Sequence, residues 1–170
     1  MHFIYGLLFA SALSVSSNAY GVSTYIQNPK TVGEARLEVM FFDIYDATLI
    51  ASDGNYDPEK PFALALTYLR EFDGEDIASR SIDEMRDQGM KDEVKLAKWF
   101  EKMQQVFPNV DKGQTLTGVV DDGQRSHFFF NDSKIGTIDD PEFTKWFFNI
   151  WLAEDTSEPK MRQKLLGLSN

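Results

Sequence analysis

The chain has 170 residues, 27 acidic against 17 basic side chains, a formal net charge of -10 and no cysteine. That balance excludes a phosphate-gripping nucleic-acid binder and electrostatic capture by anionic lipid, and the lack of cysteine excludes a disulfide framework or a lipid-modified amino-terminal Cys. A single domain of this length buries about 70% of the surface its unfolded chain exposes, so a hydrophobic core holds it without a covalent or metal staple.

Residues 1–19 carry no Lys, Arg, Asp or Glu, and an apolar run from Phe3 to Val15 leads into Ser17-Asn18-Ala19. Small side chains at Ser17 and Ala19 suit signal peptidase, and the run is too short for a comfortable membrane span. The pattern predicts a cleaved export signal over 1–19 with a weak amino-terminal charge, and an exported, periplasmic chain of residues 20–170 forming one domain.

Tyr20 to Lys30 is short and polar and ends in an Asn28-Pro29 turn signal. Ala35, Leu37, Val39 and Phe41 alternate with Arg36, Glu38, Met40 and Phe42, a strand period. Asp43 to Ile50 continues it as a second strand or after a bend, and Asp53-Gly54-Asn55 turns the chain into a strand over Phe62 to Arg70. Asp73 to Gly89 reads as a helix with Ile77, Ile82 and Met85 inward and Gly89 as its stop. Asp92 to Phe107 reads as a second helix, presenting Val94, Ala97, Phe100, Met103 and Phe107, and ends at Pro108.

Three short strands follow: Thr115 to Val120, Ser126 to Phe130 and Lys134 to Ile138, joined by turns at Asp122-Gly123 and Asn131-Asp132. Phe143, Trp146, Phe147, Ile150 and Trp151 then recur at i, i+3, i+4, i+7 and i+8, one face of an amphipathic helix. Asp139 is its candidate N-cap, with Pro141 in the first turn and Glu142 three residues on. A last helix is capped by Thr156 or Ser157 and closed by Gly167. Strands and helices segregated in this way predict an α+β fold, an antiparallel sheet with helices on one face.

Most chemical motifs fail on inspection. Asp53-x-Asn55-x-Asp57 copies the opening of a calcium loop, but Pro58 stands where Gly is needed and Leu64 where the bidentate Glu belongs. His127 is the one histidine after residue 19; Ser126 and Phe128 beside it point to the opposite face of a strand, so no nucleophile–base pair forms there, and it is expected to be a satisfied surface side chain. No G-x-S-x-G, H-E-x-x-H, phosphate loop or dinucleotide fingerprint occurs. No cofactor and no metal is called for.

Several segments resemble the bacterial chalcone isomerase-like family: Val32-Gly33-Glu34-Ala35-Arg36-Leu37, Tyr45-Asp46-Ala47-Thr48-Leu49, Phe107-Pro108-Asn109-Val110, Gly136-Thr137-Ile138, Phe147-Phe148-Asn149-Ile150-Trp151-Leu152 and Leu165-Leu166-Gly167. The resemblance implies an open-faced sandwich with an apolar cleft between sheet and helices. Plant chalcone isomerases close a flavanone ring with an Arg stabilising negative charge. Arg36, in a Gly-x-x-Arg context, is similar to that residue, whereas the family's water-organising Thr and Tyr have no secure counterpart at matching spacing. Many relatives of this fold look like non-catalytic binders of fatty acids or other apolar molecules.

Three readings follow. The first is an exported protein holding a small apolar or amphipathic, fatty-acid-like ligand, with Arg36 facing its polar end and Tyr45, Thr48 and Tyr68 as polar lining. The second is an isomerase acting on an enone, with Arg36 stabilising the oxyanion. The third is an interaction protein whose aromatics are all core. A pocket of about 300 Å³ or more separates the first two from the third.

Overall fold

The computed structural model describes residues 20–168; the export signal expected over 1–19 lies outside them. Six strands, β1 (Pro29–Val39), β2 (Phe42–Ser52), β3 (Phe62–Tyr68), β4 (Thr115–Val120), β5 (Ser126–Phe130) and β6 (Ser133–Ile138), form one antiparallel sheet in chain order. Helices α2 (Gly74–Asp87) and α3 (Glu93–Val106) cross between β3 and β4, and α4 (Pro141–Leu152) and α5 (Pro159–Leu165) follow β6. The α+β architecture expected from the segregation of periods is present.

The period-two alternation assigns the two faces. Leu49, Phe62, Leu64, Leu66, Val120 and Phe128 point inward and pack under the helices in the main core. The opposite face is not bare. A short helix, α1 (Tyr20–Tyr25), lies there, where Val22 and Ile26 pack with Ile50, Ala63, Val119 and Phe129. That segment reads as polar and irregular from sequence, because a helix of six residues offers too few turns for a period to register.

Three local expectations change. The strand pattern running through Phe42 is broken at Met40 and Phe41, which take positive φ values of 50° and 71° and reverse the chain. Helix α3 buries Leu96, Trp99 and Met103, while Val94 and Ala97 face solvent, so its inward stripe is rotated from the expected one. Helix α4 is capped by Asp140 rather than Asp139: its carboxylate accepts the backbone N–H groups of Glu142 and Phe143 and also the Trp99 indole at 3.0 Å. That last bond also ties α4 to α3.

Helix α5 sits close over β1. A Cβ on Gly33 would lie 2.1 Å from the Lys164 carbonyl oxygen and 2.5 Å from that of Leu165. Gly33 is therefore explained by backbone approach at a bulge in β1.

Candidate functional site

Between the inner face of the sheet and helices α2 and α4 lies a cavity of about 520 Å³, within the range of small-molecule pockets. The third reading, a solid aromatic core, does not hold. Strands β1 to β5 supply a floor that includes Leu37, Leu64, Leu66, Leu116 and Gly118. Gly118 keeps that floor low, because a Cβ there would meet the Phe148 ring at 2.8 Å. The wall is the aromatic face of α4. Phe147 packs edge-on, tilted or stacked against Phe107, Phe128, Phe143, Phe148 and Trp151, so the periodic aromatics seen in the sequence form both core and cavity lining.

Two of the four expected site residues line this space. Tyr45 and Tyr68 stand side by side on β2 and β3, their rings 5.7 Å apart edge to face. The Tyr45 oxygen accepts the Trp151 indole N–H at 2.9 Å, which leaves the Tyr45 proton free to donate. Burial, reinforced by the Glu158 and Glu84 charges, pushes the Tyr45 hydroxyl up to about 12 against the opposing pull of the Trp151 bond. Burial, followed by the neighbouring Tyr45, raises Tyr68 as well. Both phenols stay neutral at physiological pH, so they serve as hydrogen-bond donors and not as proton-abstracting bases. Among the described residues the Tyr68 hydroxyl has no hydrogen-bond partner, although its side chain is buried.

The other two do not reach it. Arg36 lies on the outer face of β1 and is absent from the cavity lining. Its cross-strand neighbour is Asp46, and the guanidinium grips that carboxylate at 2.7 and 2.9 Å and Asp43 at 2.9 Å. The expectation that Arg36 faces the ligand or an oxyanion is corrected by the alternation itself: Ala35 and Leu37 point inward, so Arg36 must point out. Thr48 shares that outer face, set between Glu34 on β1 and Ala65 on β3, while Ala47 and Leu49 on either side of it are buried inward.

Further polar residues that border the cavity come from α2 and the loop before α5. Ile77, Arg80, Ser81 and Glu84 present one stripe of α2 to it. The Glu84 carboxylate is buried and accepts hydrogen bonds from Arg80 at 2.5 Å and from the Ser157 hydroxyl at 3.0 Å. Arg80 itself is largely exposed, which marks the mouth. The sequence signal was available: Ile77, Ser81 and Glu84 recur at i, i+4 and i+7, beside the more obvious stripe of Ala78, Ile82 and Met85.

His127 is buried, contrary to expectation, and lies on the face away from the cavity. Nε2 meets Asp121 at 2.8 Å, Nδ1 meets Thr137 at 2.9 Å, and the ring stacks on Tyr25 of α1 at 4.3 Å. Among the described residues no group of His, Asp and Glu is placed to hold a metal ion, and no described helix is long and apolar enough to cross a membrane.

Comparison with known proteins agrees with this architecture. A protein of Haemophilus influenzae without an assigned function is 27% identical over 137 residues, covering 80% of this chain and 67% of its own length. The crystal structure of a fatty-acid binding protein of Arabidopsis thaliana (AtFAP1) superposes with a TM-score of 0.63 at 10% identity, over 82% of this chain and 87% of that one, which is a likeness of fold. Residues 30–167 match the family described as chalcone isomerase-like. With that match spanning most of the sequence and the sheet-and-helix sandwich in place, the chain belongs to the chalcone isomerase-like family.

Proposed function

We propose that the protein binds one small, largely apolar, fatty-acid-like molecule in the cavity between sheet and helices, without transforming it. The observation that carries the reading is a cavity of about 520 Å³ with an apolar floor, lined by the buried side chain of Tyr68, whose hydroxyl has no protein partner among the described residues and is left accessible. The apolar body of the ligand replaces water over Leu64, Leu66 and Phe147, and its polar end takes the protons of Tyr45 and Tyr68. The fold shared with a plant fatty-acid binding protein supports the same reading. An enone isomerase of the plant type would need a cation at the developing oxyanion. Arg36 is committed to Asp46 and Asp43 outside the cavity, so that chemistry has no support from this residue.

The test is organic extraction of the purified protein with mass spectrometry of what co-purifies, followed by calorimetric titration with a medium-chain fatty acid and the matching fatty alcohol. A one-to-one complex, weakened at least tenfold by the cavity-filling substitution Leu66→Trp, is expected. Affinity unchanged in a correctly folded Leu66→Trp protein would overturn the proposal. Export follows as part of the same proposal, supported by the apolar, uncharged stretch over 1–19; a mature chain isolated from its own cells should begin at Tyr20.

A further inference from the structure

The turn between β1 and β2 exposes four consecutive apolar side chains. Val39 is 46% accessible, Met40 82%, Phe41 101% and Phe42 57%. Met40 and Phe41 both adopt left-handed backbone, at φ 50° and 71°, in a two-residue hairpin position where Asn and Gly are preferred. Folding gains nothing from a fully solvated phenylalanine, and the backbone is strained to present it. The ladder between β2 and β3 begins at Tyr45, with one further bond from the Leu69 N–H to the Ile44 carbonyl, so Val39–Phe42 lie beyond the paired part of β3.

Two neighbours say what the tip meets. Val39 also lines the cavity, as do Leu37 and Ile44 behind it, so the tip adjoins the binding space. Arg70 lies over the Phe42 ring at 4.5 Å and has no carboxylate partner among the described residues. An exposed apolar tip with a guanidinium that has no carboxylate partner at its base matches the order of a phospholipid leaflet: acyl chains inside, phosphates outside. A folded protein would have to offer a deep complementary pocket, whereas a fluid bilayer needs none.

We propose that the Val39–Phe42 tip inserts into the surface of a phospholipid bilayer, with Arg70 at the phosphate level. With a net charge of -10, attachment relies on apolar insertion, and zwitterionic lipid suffices. The inference goes beyond ligand binding and is tested apart from it, since insertion of the tip does not depend on an occupied cavity.

The experiment uses the full chain with Phe41→Trp and vesicles of phosphatidylcholine brominated along the acyl chains. Val94→Trp is the control, because Val94 is 81% exposed on α3, which packs on β6 at the far edge of the sheet. Blue-shifted and quenched emission is expected for the indole introduced at position 41 and not for that at 94, with little dependence on salt. Partition of the otherwise unaltered chain should fall at least tenfold in Met40→Ser/Phe41→Ser, while its melting temperature holds. No quenching at position 41, equal quenching at both positions, or a blue shift that tracks self-association in the absence of vesicles would each overturn the proposal; the last would assign the tip to a second copy of the chain.

Discussion

Tyr68 and Arg36 illustrate how much a single side chain's surroundings decide. Tyr68 keeps a donor that the fold leaves unused, so Tyr68→Phe removes one hydrogen bond to the ligand and no bond within the protein. The expected loss is about 0.5–1.5 kcal/mol, or roughly two- to tenfold in affinity by titration, with stability unchanged. Arg36→Ala should leave affinity where it was, because the guanidinium is neutralised on the far side of the sheet; a tenfold loss would restore Arg36 to the site. The outer face also holds a pH-sensitive group. Burial alone would raise the Asp121 carboxyl, but hydrogen bonds from His127 and from the Arg125 backbone and side chain outweigh it and bring it down to about 2. A depressed carboxyl contributes stability that is complete above its unfolded pKa of about 3.9 and is lost as pH falls through the folded value. Asp121→Asn is therefore expected to lower the neutral-pH melting temperature and to flatten the decline between about pH 4 and pH 2, as followed by circular dichroism.

Among the strands and helices, those with an undivided apolar stripe could be read directly. β4 and β5 run over the expected residues, and the aromatic period of α4 predicted both its existence and its inward face. Other elements carried two stripes or no marker. In α3, Val94 and Ala97 lie beside Leu96 and Trp99 at the same period, so periodicity alone could not choose; the choice follows from what Trp99 reaches, the Asp140 cap and the Phe143 ring. The β1–β2 turn escaped notice because Met40 and Phe41 are not turn residues and the alternation ran across them. The polar stripe of α2 was legible but overshadowed by its stronger neighbour. At the β1–α5 contact the physical demand is severe. Gly33→Ala places a methyl against two backbone carbonyls that cannot swing aside, and about 1–3 kcal/mol of destabilisation is expected, measured by denaturant titration. A variant as stable as the original would show that α5 can lift off β1.

The assembled fold explains why the site was harder to read than the scaffold. The α+β class follows from the order of periods along the chain, but the cavity depends on which segments meet: α2 and the loop before α5 are joined through Glu84, Arg80 and Ser157, with 73 positions separating Glu84 from Ser157. The resemblance to chalcone isomerase-like proteins suggested a cleft between sheet and helices, and it drew attention to Arg36, whose partners in this chain are Asp46 and Asp43 on the other face.

Because the cavity draws its boundary from five strands, from α2 and α4, and from the segment leading into α5, no partial structure can hold a guest. Occupancy is then a mass-action bias on the entire cooperative unit: at a ligand concentration one hundred times its dissociation constant, the native state gains about 2.7 kcal/mol. Slowed amide exchange should accordingly spread to β5 and α4 together, well away from the two tyrosines, when the guest is added. Protection confined to β2 and β3 would mean that the guest sits on a locally opening flap instead.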